Sequence, residues 1–245
     1  MEMERWRRVI GQAAARVAPW CRAVGRAADR LVFPAECLAC DAVDFVASPV
    51  AGICAECGAE LSWRGGDGRS GRSALAVGRR RFDQVVIALR YQPPIDEVIL
   101  RLKYGHLELA AAPLADALAQ ATMRLPAFER PDLLAPLPMH WLKRWLRGGD
   151  HADLLVERLA ARLDLPVRHA LARVRATRAQ GGARSLRERV HQVQSAFAVR
   201  AAVRGAHVGL VDDVVTSGAT AATAARALRR AGARAVTLLA VAGNG

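Results

Sequence analysis

Lysine is nearly missing from this 245-residue chain: only Lys103 and Lys143 stand among its 36 basic residues, and the rest are arginine. A GC-rich genome produces that bias, so by itself it excludes nothing. Aromatic residues are also scarce, at 5%, and few lie near the arginine-rich part of the chain, so no stacking platform for nucleic-acid bases is evident. No window approaches 18 uninterrupted apolar residues, which excludes a membrane-spanning helix. The first eight residues mix glutamates with arginines and lack the uncharged core of a secretory signal, so a cytoplasmic protein is expected. No Ser/His/Asp nucleophile constellation is legible. Hydrophobic residues nevertheless make up 52%, enough for a folded core.

The formal net charge is +13, and it is unevenly spread. Nine arginines fall between Arg168 and Arg204 against one acid, Glu188. Such a field favours an anionic partner: phosphates, pyrophosphate or nucleic acid. A solvated face is the plainer alternative.

Cys37, Cys40, Cys54 and Cys57 form two C-x-x-C pairs separated by thirteen residues. Two knuckles at this separation can converge on one tetrahedral Zn²⁺. Reduced cytosolic thiols make disulfides the weaker reading, and one pair would suffice for redox work. Four thiolates leave no open coordination position, so this zinc would be structural. Cys21 reads as a small apolar residue. Residues 1–33 carry Trp6, Ile10, Ala13, Ala14, Val17, Trp20 and Val24 at helical spacing with arginines on other faces. This is a basic amphipathic helix, suited to its own protein, a membrane surface or DNA. The expected organisation is this helix, a zinc-binding module over 34–66, a Gly/Arg/Ser linker over 67–81 and a main domain over 82–245.

In the main domain short apolar runs alternate with helical patterns. Strands are expected at 83–91, 133–137, 206–211 and 235–242, and helices at 95–103, 107–123, 151–163 and 219–231. Alternation of this kind predicts an α/β fold with a largely parallel sheet flanked by helices, with ligands at the carboxyl ends of its strands. One such end carries the sharpest motif, Val208-Gly-Leu-Val-Asp-Asp-Val-Val-Thr-Ser-Gly-Ala-Thr220. Gly218 and Ala219 let backbone N–H groups approach an anion, Thr216, Ser217 and Thr220 add hydroxyl donors, and a helix start adds its dipole. Asp212 and Asp213 accept hydrogen bonds from sugar hydroxyls or act through Mg²⁺. A ligand with a 5′-phosphate and free ribose hydroxyls satisfies both halves.

The motif resembles the 5-phosphoribosyl-1-pyrophosphate (PRPP) signature of type I phosphoribosyltransferases. Residues 34–245 resemble the ComF family, bacterial proteins associated with competence, in which a zinc module precedes a phosphoribosyltransferase-like domain. The four cysteines carry the resemblance, with Leu102-Lys103-Tyr104-Gly105, Pro136-Leu137-Pro138-Met139-His140, Arg144, Arg147-Gly148, and Arg175, Thr177, Gln180, Arg189 and Ala196-Phe197. Two places depart from the family pattern: Gly149-Asp150-His151-Ala152 replaces Phe-Asn-Gln-Ala, and Gln192 replaces an Asn. They flank the expected substrate end. The resemblance implies a PRPP site at Asp212, Asp213 and Thr216 to Thr220 with Mg²⁺, pyrophosphate contacts from Lys103 and Arg147, and a mobile basic loop over 173–189. It leaves open a transferase of unknown acceptor, a non-catalytic PRPP or nucleotide sensor, and a protein of the DNA uptake machinery holding single-stranded DNA on Arg184, Arg187 and Arg189. Partners would be PRPP or a related phosphorylated sugar, single-stranded DNA and DNA-uptake proteins.

Overall fold

The computed structural model describes residues 36–43, 46–48, 50–63, 82–104, 108–138, 151–173 and 196–244. The expected N-terminal helix and linker, Arg147, and Arg184, Arg187 and Arg189 lie outside them.

The cysteine region holds one short helix, α1 (Ala55–Glu60), opened by Cys54. The second knuckle therefore starts a helix. The Cys57 N–H donates to Cys54 Sγ across the cap, so the cysteine sulfur serves as the N-cap acceptor. The elements that follow are β1 (Gln84–Arg90), α2 (Ile95–Tyr104), α3 (Glu108–Met123), β2 (Leu133–Pro136), α4 (His151–Leu163), β3 (Leu171–Arg173), β4 (Phe197–Val199), β5 (His207–Val215), α5 (Ala219–Arg230) and β6 (Ala235–Gly243).

Strands β1, β6, β5 and β2 form one sheet in that order, all parallel. Its strands are runs of valine, leucine, isoleucine and alanine, as burial on both faces requires. Alternate residues serve opposite faces. Leu134, Val211 and Leu239 pack with α2, α3, α4 and the cysteine module. Leu133, Leu210 and Leu238 pack with α5 and the antiparallel β3–β4 pair. Alanines Ala221, Ala222, Ala224 and Ala225 on α5 are buried, and small side chains there bring the helix close to the sheet. This is the expected α/β architecture, a parallel sheet flanked by helices, with a cysteine module ahead of it.

Three features differ from the sequence expectation or add to it. Strand β5 runs on through both aspartates to Val215, because its backbone keeps pairing with β6 from Asp212↔Ala240 to Val215↔Gly243. The three-residue strands β3 and β4 carry too short a pattern to be read. The cysteine module docks on the main sheet: Trp63 bridges Leu89 on the β1 edge and the Arg90 N–H donates to Ser62 O at 2.9 Å. Cys37, Ile53 and Leu61 belong to the same apolar cluster as Leu89, Ile99 and Leu114.

Candidate functional site

The helices after β1 and β2 cover one face of the sheet, whereas α5, which follows β5, covers the other. Strands β2 and β5 are neighbours. The helices that follow these two neighbouring strands therefore cover opposite faces, the switch point at whose carboxyl ends ligands of such sheets bind. There the Leu137 N–H, after β2, donates to Val211 O at 2.9 Å, and Asp212 and Asp213 lie among the last residues of β5.

The two aspartates are partly buried. Asp212 accepts the Asp213 N–H at 3.0 Å, and Asp213 accepts the Val214 N–H at 2.6 Å. Burial, then the neighbouring charge of Asp213, pushes the Asp212 carboxyl up to about 7; the Asp213 N–H and Lys103 pull it back less strongly. Lys103 reaches in from α2, with Nζ 3.0 Å from Asp213 Oδ2 and both side chains largely buried. The structure thus brings together Lys103, Asp212 and Asp213.

Beyond β5 the chain turns at Gly218, whose φ of +67° is in the left-handed region that favours glycine. Thr216, Ser217, Ala219 and Thr220 are exposed. Gly218 occupies the N-cap of α5, no side chain caps this helix, and its first turn has no acid. The Ala219 N–H makes one long bond, 3.5 Å, to Ser217 Oγ; the other leading N–H groups and the positive dipole end are open to an anion. Thr216 to Thr220 thus follow directly in the chain on the strand that carries the two acids.

At the module, one sulfur atom of each of Cys37, Cys40, Cys54 and Cys57 lies within 4.8 Å of the others. Cys40 Sγ and Cys54 Sγ are 3.8 Å apart, about the edge of a sulfur tetrahedron around a zinc with ~2.3 Å bonds. The Cys54 N–H donates to Cys37 Sγ at 3.3 Å. Burial raises the Cys37 thiol, but hydrogen bonds from the backbone of Cys54, Ala39 and Cys40 together outweigh it and bring it down to about 6. Burial and the other cysteines push Cys57 up. One buried thiolate is favoured, and Cys40 and Cys57 resist ionising beside it; a divalent cation relieves that repulsion, so the donor set fits a metal that takes four thiolates.

Sequence reading missed one contact that joins these two places. Arg101 on α2 forms a two-pronged pair with Asp41, the residue after Cys40, one prong at 2.6 Å, and a further bond to Glu97 at 3.1 Å. The Glu97–Arg101 spacing was visible as an i,i+4 pair; nothing local announces Asp41, sixty residues away.

The chain is 34% identical over 159 residues to the DNA utilization protein YhgH of Salmonella typhimurium, covering 63% of this chain and 70% of that protein. It is 29% identical over 158 residues to Competence protein F of Haemophilus influenzae, covering 62% and 69%. Among solved structures, the glutamine PRPP amidotransferase of B. subtilis complexed with ADP and GMP matches with a TM-score of 0.42 and 20% identity, over 58% of this chain and 30% of that one. No family model matches the chain.

Proposed function

The chain belongs to the ComF family, that of DNA utilization protein YhgH and Competence protein F, and on that footing we propose that it binds PRPP, or a closely related phosphorylated ribose, together with Mg²⁺. The observation that carries this reading is the pairing of two opposite chemistries at one strand end. Carboxylates suited to ribose hydroxyls stand beside an uncapped helix start suited to a phosphate.

In this reading Asp212 and Asp213 accept hydrogen bonds from the ribose hydroxyls. Thr216, Ser217 and Thr220 donate hydroxyls, and the Gly218–Ala219 backbone donates N–H groups, to the 5′-phosphate. Lys103 holds Asp213 in place and supplies positive charge at the pyrophosphate side; Arg147 is assigned to the pyrophosphate as well. Mg²⁺, when bound, would neutralise part of the pyrophosphate charge. The cysteine cluster holds one structural Zn²⁺. If the bound sugar reacts, charge develops on the departing pyrophosphate, and positioning with electrostatic stabilisation supplies the rate. Calorimetry with PRPP and Mg²⁺ tests the site. Asp213→Ala should weaken binding at least tenfold while the protein stays folded, and equal affinity of the two proteins rejects the assignment. Pyrophosphate release across a panel of amines, bases and oligonucleotides then separates a transferase from a sensor.

The relatives' names motivate a second reading, in which the protein also handles DNA. Arg168, Arg200 and Arg204 are exposed around the β3–β4 pair, on both sides in sequence of Arg184, Arg187 and Arg189. These arginines offer sequence-independent phosphate contacts to single-stranded DNA. Binding should then weaken with salt by roughly 0.7 log units per contact and per log unit of salt. Replacing Arg184, Arg187 and Arg189 by Ala should flatten that slope; an unchanged slope removes this reading.

A further inference from the structure

Helix α2 stands between the cysteine module and the acids. Its buried stripe is Ile95, Val98, Ile99 and Leu102. At 100° per residue, Arg101 lies about 110° to one side of that stripe and Lys103 about 90° to the other. The two cations therefore leave opposite flanks of one helix. Arg101 goes to Asp41 and Lys103 goes to Asp213.

Asp41 is fixed by the first knuckle. It follows Cys40, has a φ of +60°, and its N–H donates to Cys37 O at 3.0 Å. The Cys37 N–H in turn donates to Ala42 O at 2.8 Å. The turn that aims Cys37 and Cys40 thus also aims the Asp41 carboxylate. A guanidinium held by both prongs and by Glu97 has a defined direction, and it ties that flank of the helix to the knuckle.

We propose that Arg101 is a positioning residue that couples the cysteine module to the acid pair. By gripping Asp41 it fixes the rotation of α2 and hence the reach of Lys103 to Asp213, so that binding at the acids depends on an intact first knuckle. The ligand part of this inference rests on the PRPP reading; the mechanical part does not.

The test uses full-length protein with its metal and the substitution Asp41→Asn, which tolerates the left-handed backbone and removes the charge. Two readouts are taken on each protein: PRPP affinity by calorimetry, and hydrogen exchange of peptides spanning 95–104 and 50–61. Asp41→Asn should lower PRPP affinity about fivefold, at the low end of site-to-site coupling. It should speed exchange in 95–104 while leaving metal content and exchange in 50–61 unchanged. Stripping zinc from the wild type should produce the same loss of affinity, and stripping the variant should add little. If Asp41→Asn matches wild type in 95–104 exchange, the coupling is wrong, whatever PRPP does. If wild type fails to bind PRPP while exchange in 95–104 responds to Asp41→Asn, the coupling stands and the PRPP reading falls.

Discussion

Lowering the pH from 8 to 6 should weaken PRPP binding through one carboxyl. Asp212 is held near 7 by burial and by the charge of Asp213. If the ribose hydroxyls need its carboxylate, the ionised fraction scales the affinity. For a group titrating at about 7, that fraction falls roughly tenfold between pH 8 and pH 6, worth ~1.4 kcal/mol of binding. The phosphates of PRPP also change protonation in this range, and so does Mg²⁺ binding to them, but both act on any form of the protein. Asp212→Asn removes the protein term and leaves the ligand terms. Calorimetry at pH 6, 7 and 8 on both proteins, with free Mg²⁺ held constant, isolates the difference. Wild type should show the additional tenfold loss, and the variant should be weak throughout with the shallower slope of the ligand alone. Parallel slopes would refute the argument, because Asp212 would then not titrate in step with binding.

Elemental analysis of reduced protein should find one zinc per chain, and Cys54→Ser should lose it. Because Cys37, Ile53 and Leu61 share a core with Leu89 and Ile99, that variant should melt earlier as a whole, and two separate transitions would contradict the shared core. His207 is buried, with Nε2 2.7 Å from Thr237 Oγ1, and burial, then the Arg234 charge, depresses its pKa. The unfolded chain takes up a proton below about pH 6.5 that the folded imidazole resists. Stability should therefore fall with pH below that point, at a limiting slope of ~1.4 kcal/mol per pH unit. Urea midpoints between pH 7.5 and 5.5 measure it, and His207→Gln should reduce the slope.

Helix α4 shows how far the sequence carries. Its 3.6-residue period, with Leu155, Val156, Leu159 and Ala160 buried, suffices for both ends because one apolar stripe must meet one core. The motif around Asp212 was equally legible, since no ordinary strand end needs two acids and a glycine-threonine loop. Less visible were the features fixed by distant partners. Asp212 and Asp213 are poor strand formers, and only the ladder to Ala240–Gly243 extends β5 past them. Strands β3 and β4 exist because Leu171 meets Val199 and Arg173 meets Phe197, a pairing no local pattern encodes. The Gly-rich stretch after Trp63 suggested a separate module, but Leu61 and Trp63 pack against the β1 side of the main core before that stretch begins. The Lys103–Asp213 contact belongs to the same class: each residue was chosen for its chemistry, and only the sheet order makes them partners.

The same acids that suit a ligand should cost the free protein stability. An aspartate that ionises near 3.8 in the unfolded chain but near 7 in the fold is worse off folded wherever the unfolded chain is charged. The unfolded state sheds its proton first, so stability declines as pH rises from about 4 to about 7 and stays reduced above that. This runs opposite to the His207 effect over an overlapping interval, so the two must be measured apart, with His207 studied in an Asp212→Asn background. The penalty at pH 8 is on the order of a few kcal/mol, since each pH unit of displacement counts once. Asp212→Asn keeps the shape and an acceptor for the Asp213 N–H but carries no charge to bury. It should therefore be more stable than wild type at pH 8, with the advantage shrinking as the pH approaches 4, while PRPP binding is weakened. Urea denaturation at pH 8 and pH 4 on both proteins decides the matter. A variant less stable than wild type at pH 8 would mean that the Asp212 carboxylate is satisfied within the fold, and the case that it stands there for a ligand would lose its energetic basis.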